Sequence, residues 1–555
     1  MISFAALKGR ATSATAAALV VVTLASAAPR ADDSPVLVAM QDEMKRSMAE
    51  LKLKDQPEPY YISYGMDDTR EWTYHARLGA TIENSTRRSR QLVVEVRVGD
   101  YGFDSSHFIT ANRGTNAAAA VSIPIDDNYD AMRRELWLAT DAAYKRALLI
   151  FARKKAAFQN RSVTDQLPDL SRETPAETVL PVAADRPSPD EWAARVRDMS
   201  AAFSSAAGIQ NSDVVAGQQS GTQYFINSEG FKEIEPLNTA WVRVTADTQT
   251  PDGSALRDGF SLAEARLADM PASAALIART RNLAARMEAA RSASIGDEYT
   301  GPVLVDGEAS QQILAQAFLP LTLARRPNDV ENNGRGAPPA QATPFLSRIG
   351  LRVLPDAFSV SDTPSLTAYE GKPVAGAFMV DDEGVPAKDV PLVENGKLLT
   401  LLTSRAPQKK LLQSNGHGRS GAAQAGVFQM KSSQAVPEAD LKQKYLALLK
   451  DQDKEFGYIV RSLGAGNGTS LADVVKVTPD GKETPVRGLR LAAIAAPTFR
   501  NILEASTERP LFNYLTTSGD LVSIIAPSMI YEELEIQQVK EIVQKPPIVP
   551  SPLAR

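Results

Sequence analysis

The chain has 555 residues, of which 43% are hydrophobic and 23% charged, and its net charge is −5. That length accommodates two or three domains with sizeable cores, and the composition is that of an ordinary globular protein. No basic block is available to track a phosphate backbone, so no nucleic-acid partner is expected. The absence of cysteine excludes disulfides, thiolate metal ligands and a cysteine nucleophile.

In chain order, residues 1–27 read as a signal peptide. Lys8 and Arg10 give a positive start, 14–24 are apolar, and Ala25, Ser26 and Ala27 fit a small-residue cleavage site before Ala28. The apolar run is shorter than the roughly 20 residues that span a bilayer, and no later stretch is long enough. The expected location is therefore exported, periplasmic or secreted, with no membrane span after cleavage. Ser34 and Pro35 then open a helix carrying Leu37, Met40, Met44, Met48 and Leu51 at helical spacing. Strands are predicted over 59–64, 74–83 and 91–98, with Arg87, Arg88 and Arg90 in a solvated loop between the last two. A long helix covers 130–158, a proline-rich connection 160–190, and a further helix 190–206. Strands 212–219 and 222–227, a turn at Ser228 to Gly230 and a strand over 241–246 complete an N-terminal α+β layer domain, 28–260. Residues 261–294 are expected to bridge to the next domain through a helix over 274–293.

The second domain, 295–540, is expected to be strand-rich. Residues 301–308 read as a buried strand and turn. Ile313, Leu314, Ala317 and Phe318 then mark a helix that Pro320 should stop at or before Leu319. Asn395-Gly396 and Asp480-Gly481 mark hairpins, 437–449 an inserted helix, and 326–345 a flexible loop. The proline-rich tail, 541–555, should be extended.

Five blocks in this order resemble the TldD/PmbA family, whose active members are zinc-dependent peptidases. They are 225–230, 301–320, 381–386, 414–419 and 526–534. The resemblance implies a TldD/PmbA-type C-terminal domain and, by family pattern, an H-E-x-x-x-H motif over 315–320. Those positions hold Ala315, Gln316 and Pro320 instead. Alanine and proline bring no side-chain donor atom for zinc, and a neutral amide cannot act as the base on a metal-bound water. The family's further cysteine ligand is missing too. Members lacking the motif assemble with members having it, so the resemblance implies a non-catalytic subunit in a homo- or hetero-oligomer with a zinc-containing relative, active in peptide processing or proteolysis. The alternatives are a stand-alone periplasmic peptide-binding protein, and an active metallopeptidase with an unrecognised metal site.

The residues offer little other chemistry. His75, His107 and His417 share no helical spacing, so no metal ligands and no cofactor are assigned. Asp381, Asp382 and Glu383 precede a glycine but lack the alternating spacing of a calcium loop, and read as a turn. No G-x-S-x-G elbow is present. Asn415, His417 and Arg419 are the candidates for a cleft that contacts peptide, with His417 also readable as a turn residue beside glycines.

Overall fold

The computed structural model describes residues 34–112, 114–159, 167–180, 189–331, 343–464, 470–540, 543–545, 547–549 and 551–553. The expected signal peptide lies outside them, as does the middle of the loop expected over 326–345. The architecture is α+β, with a long-stranded sheet formed by residues before 265 and two further large sheets formed after 293.

The chain enters through helix α1 (Pro35–Glu50) and a hairpin of two 19-residue strands, β1 (Pro59–Arg77) and β2 (Ala80–Val98). Helices α2 (Tyr129–Gln159) and α3 (Pro189–Ala201) follow. The sheet continues with β3 (Ile209–Asn227), β4 (Lys232–Gln249) and β5 (Ala255–Glu264), and helix α4 (Ser273–Ser292) ends this part. The four longest strands lie antiparallel in the order β2, β1, β3, β4.

Side chains alternate across a strand, and here one parity faces the helices along the whole length. Ile62, Tyr64 and Met66 pack with α1 and α2. Trp72, Tyr74 and Ala76, further along the same strand, pack with α3 and α4. Val94, Val96, Ile226 and Ile234 join the first cluster, and Ala216, Val242 and Val244 the second. All four helices thus cover one face. The odd-numbered positions, among them Ser63, Asp67, Glu95, Phe225, Glu233 and Glu235, are left on the other.

That second face meets the C-terminal part. There β6 (Tyr299–Val305) lies inside an eight-stranded sheet, followed by the short helix α5 (Gly307–Ile313). A six-stranded sheet packs against this one, and Val303, Val305, Val360, Phe428, Ile524 and Tyr531 share their common core. Helix α6 (Glu438–Asp451) covers the outer face of the eight-stranded sheet through Leu441, Tyr445 and Leu449. Among the described residues no helix is long and apolar enough to cross a membrane.

Two expectations are corrected. Residues 87–90 are not a loop. They continue β2 and pair with 68–71, where Arg88 and Arg90 meet Asp68 at 2.9 and 2.5 Å. The strands predicted over 212–219 and 222–227 are one strand, because Gly221 does not turn. A Cβ there would lie 2.1 Å from the Asp68 carbonyl oxygen, so glycine serves the close approach of β1. The helix ends just before Leu319, as expected, but by way of two changes of winding. After α5 the chain makes a π turn over Leu314–Phe318, in which the Leu319 amide donates to the Leu314 carbonyl, and a 3₁₀ turn over Leu319–Thr322. Proline is tolerated at the start of such a turn, where its missing N–H would have had no helical partner.

Candidate functional site

A cleft of about 690 Å³ opens between the helix-free face of the long-stranded sheet and the C-terminal part. Tyr61, Ser63, Gly65 and Asp67 of β1 form its floor, with Glu95 and Arg97 of β2 and Phe225 of β3 beside them. Asp382, Glu383, Ser420 and Gly421 stand opposite. His107 lines one side at φ +52°, a region costly for a residue with a Cβ. Burial, then the Arg326 and Arg97 cations, hold its imidazole well below the usual range, so it is neutral at neutral pH.

Arg405 closes the cleft at its base. Its guanidinium donates to both oxygens of Glu229, at 2.5 and 2.9 Å, and to the Ser171 carbonyl at 2.6 Å. Glu229 is positioned by the tight turn between β3 and β4, where Asn227 Oδ1 accepts from the amides of Glu229 and Phe231. The expected turn at 381–384 forms the same way. Asp381 Oδ1 accepts from the Glu383 and Val385 amides, and Gly384 at φ +81° packs on Phe231.

The facing surfaces are rich in carboxylates. Burial and then Asp382 push Asp67 up to about 6. Burial and then Asp382 push Glu235 up to about 7. Glu233 is 1% exposed and neither of its oxygens has a hydrogen-bond partner. Burial and then Glu235 push it up to about 10.

Asn415, His417 and Arg419 sit beside the cleft rather than along it. His417 is fully buried, with Nε2 3.2 Å from Asp362 Oδ1 and Nδ1 3.0 Å from Asn415 Oδ1. Asn415 accepts from the Thr403 amide and donates to the Leu401 carbonyl, holding the loop. Arg419 donates to the Leu521 carbonyl at 3.1 Å and is the cation that acts on both Asp382 and Glu235. Ala315, Gln316 and Pro320 lie elsewhere, on the π and 3₁₀ turns, with Gln316 and Pro320 exposed.

Residues 298–538 match the family model of the PmbA/TldA metallopeptidase C-terminal domain. This C-terminal part of the chain is thus a TldD/PmbA-type domain. Its fold resembles a Thermotoga maritima protein named for modulating DNA gyrase, at 14% identity and a TM-score of 0.59, covering 90% of this chain and 100% of that one. It also resembles TldE from Thermococcus kodakarensis, at 14% identity and 0.58, covering 90% and 99%. A gyrase-modulator-named protein of Bacteroides thetaiotaomicron gives 12% identity and 0.54, covering 90% and 98%. No curated protein matches the chain.

Zinc, the metal of active TldD/PmbA members, does not fit the residues at the family's motif positions. Ala315 and Pro320 carry no donor, and the Gln316 amide is a poor ligand facing solvent. Each histidine has its own partner: His75 lies 2.7 Å from Asp213, His107 3.2 Å from the Asp169 carbonyl, and His417 beside Asp362. Among the described residues no three of His, Asp and Glu are arranged to hold a metal ion.

Sequence reasoning missed Asp67, Glu233 and Glu235. The usable signal was the spacing of two between Glu233 and Glu235, which puts both on one strand face. Asp67 joins their row only through the register, in which Asp67 pairs with Gln223 and Gln223 with Glu235. Pairing across three strands cannot be read from one segment.

Proposed function

We propose that this protein is an exported, non-catalytic TldD/PmbA-type subunit that assembles with a zinc-containing relative and handles peptide. The observation that carries the reading is the chemistry at 315–320. The motif segment keeps its place in the core through Leu314 and Phe318, while the positions that would hold metal and base carry Ala315, Gln316 and Pro320. Packing is retained and the donors are lost, as expected of a subunit conserving shape for assembly rather than chemistry. The signal-peptide pattern of 1–27 supports export. The cleft between the long-stranded sheet and the C-terminal part supports peptide holding: it is concave, and polar groups converge on it from both sides.

The test is a pair of measurements on one sample. Purified chain, dialysed and analysed for metal, should hold no stoichiometric zinc and should not cleave casein. Mixed with an H-E-x-x-x-H relative from the same genome, it should co-elute in size exclusion. One zinc per chain with chelator-sensitive cleavage would overturn the reading, and failure to co-elute would refute the subunit role.

A further inference from the structure

We propose that the acidic patch at the edge of the cleft, with Asp67 and Asp382 on the cleft wall and Glu233 and Glu235 on the adjoining strand β4, is a binding site for the ammonium or guanidinium group of a basic side chain in an extended peptide. This rests on the reading of the cleft as the part that holds peptide.

Two independent observations point to a cationic ligand. The first is charge imbalance set by topology. Glu233 and Glu235 lie two apart on β4, and Asp67 lies in the Glu235 row two strands away, all on the helix-free face. The turn at 381–384 brings Asp382 over them, with its Oδ2 accepting the Ser420 amide at 2.6 Å. Other acids nearby are already engaged. Glu95 holds Arg97 at 2.7 Å, Asp381 accepts three backbone amides, and Glu383 accepts the Arg405 amide. Arg405 itself is spent on Glu229. Arg419 remains as the cation acting on Asp382 and Glu235, and its Nη1 is directed at backbone carbonyls.

The second observation is Glu233 itself. A carboxyl 1% exposed with both oxygens unpartnered is costly to bury, and native proteins rarely leave one so. The charged neighbours that act on it are the acids Glu235, Asp382 and Asp381, while Arg419 acts on Glu235 and Asp382. Without a ligand at pH 7, Glu233, pushed up to about 10, holds a proton and Glu235, at about 7, holds one about half the time, while Asp67, at about 6, is mostly ionised. A cation entering would take the place of those protons. A bare metal ion suits the site less, because no three acids are arranged around one point among the described residues. A long side chain with several spread N–H donors can reach carboxylates on both sides.

The probe is N-acetylated, C-amidated Ala-Ala-Lys-Ala-Ala, compared by calorimetry with the norleucine analogue on the purified full chain at pH 7. The lysine peptide should bind about ten- to a hundredfold tighter, as charge-assisted hydrogen bonds are worth. Its binding heat should shift between buffers of different ionisation enthalpy, because protons are released. In Glu233→Gln and Glu235→Gln the preference for lysine should fall at least about fivefold, with norleucine binding unchanged. Equal affinity for both peptides would refute the cationic site while leaving peptide holding intact; binding of neither would refute both. Calcium titrated alone, bound by the wild type, lost in Glu233→Gln and accompanied by no lysine preference, would assign the acids to a metal and overturn the proposal. The wild-type comparison decides the matter even if a variant fails to fold.

Discussion

Replacing Arg405 with methionine tests what joins the long-stranded sheet to the C-terminal part. Arg405 is 1% exposed and Glu229 12%. Their two parallel hydrogen bonds, with the bonds to the Ser171 carbonyl, link a C-terminal loop to the β3–β4 turn and to the segment at 171. The ring of Tyr61 and that of Phe231 each lie 5.6 Å from the guanidinium carbon, so the cation is enclosed by aromatic faces as well. Arg405→Met keeps most of the volume but takes the guanidinium from Glu229, which keeps the Tyr101 hydroxyl at 2.7 Å and the Asn227 amide at 3.3 Å. Removing one partner of a buried pair costs about 3–5 kcal/mol, much of it the orphaned charge. The further change Glu229→Gln should therefore recover about 2 kcal/mol, since it removes that charge and keeps an acceptor for Tyr101. Urea unfolding followed by tryptophan fluorescence gives both numbers, and hydrogen exchange at 227–231 localises the loss. A single-variant cost below about 1 kcal/mol, or a double variant less stable than the single, would refute the assignment of Arg405 as the joint.

Three other outcomes are expected. Glu235, with a folded value of about 7 against an ordinary 4.5, makes the folded state bind the extra proton, so stability is present below the ordinary value and is lost as pH rises to about 7. Glu235→Gln should accordingly stabilise the chain more at pH 8 than at pH 5 in paired melting curves; an equal shift at both would refute the pH linkage. Lys154→Met should cost about 3 kcal/mol in urea unfolding, the low end for a buried pair because Arg326 still holds Asp169 at 2.8 Å; a neutral effect would show that Arg326 alone suffices. Gly217→Ala should cost about 1–3 kcal/mol and perturb the Trp241 fluorescence, because the new methyl would meet the indole at 2.2 Å; an unchanged melting curve would show that the indole moves aside freely.

Much of the fold was legible because helices carry periodic apolar residues and tight hairpins carry special turn residues. The helices at 35, 129, 273 and 438 fall where the pattern placed them, and Asn395-Gly396 joins two short strands at φ +48° and +76°. The long strands were read as fragments for a physical reason. The exposed half of β2 is held by Arg–Asp pairs and backbone pairing rather than by apolar burial, so alternation in hydrophobicity fades while the ladder continues. The turn at 381–384 was legible from its glycine and acids. That its neighbour Asp382 would stand over Glu233 and Glu235 was not, because that depends on how two distant sheets dock.

The same distinction between buried and exposed positions holds over 314–320. Phe318, inside the family's motif span, packs edge-on against Phe345, Phe428 and Phe499 at 5.0–6.1 Å between ring centres. Its full burial contributes roughly 1.5–3 kcal/mol. Gln316 and Pro320 are exposed and contribute little of this packing. Substitution at Gln316 or Pro320 is therefore cheap for the fold, whereas changes at Leu314 or Phe318 would open a cavity in the shared core of both C-terminal sheets.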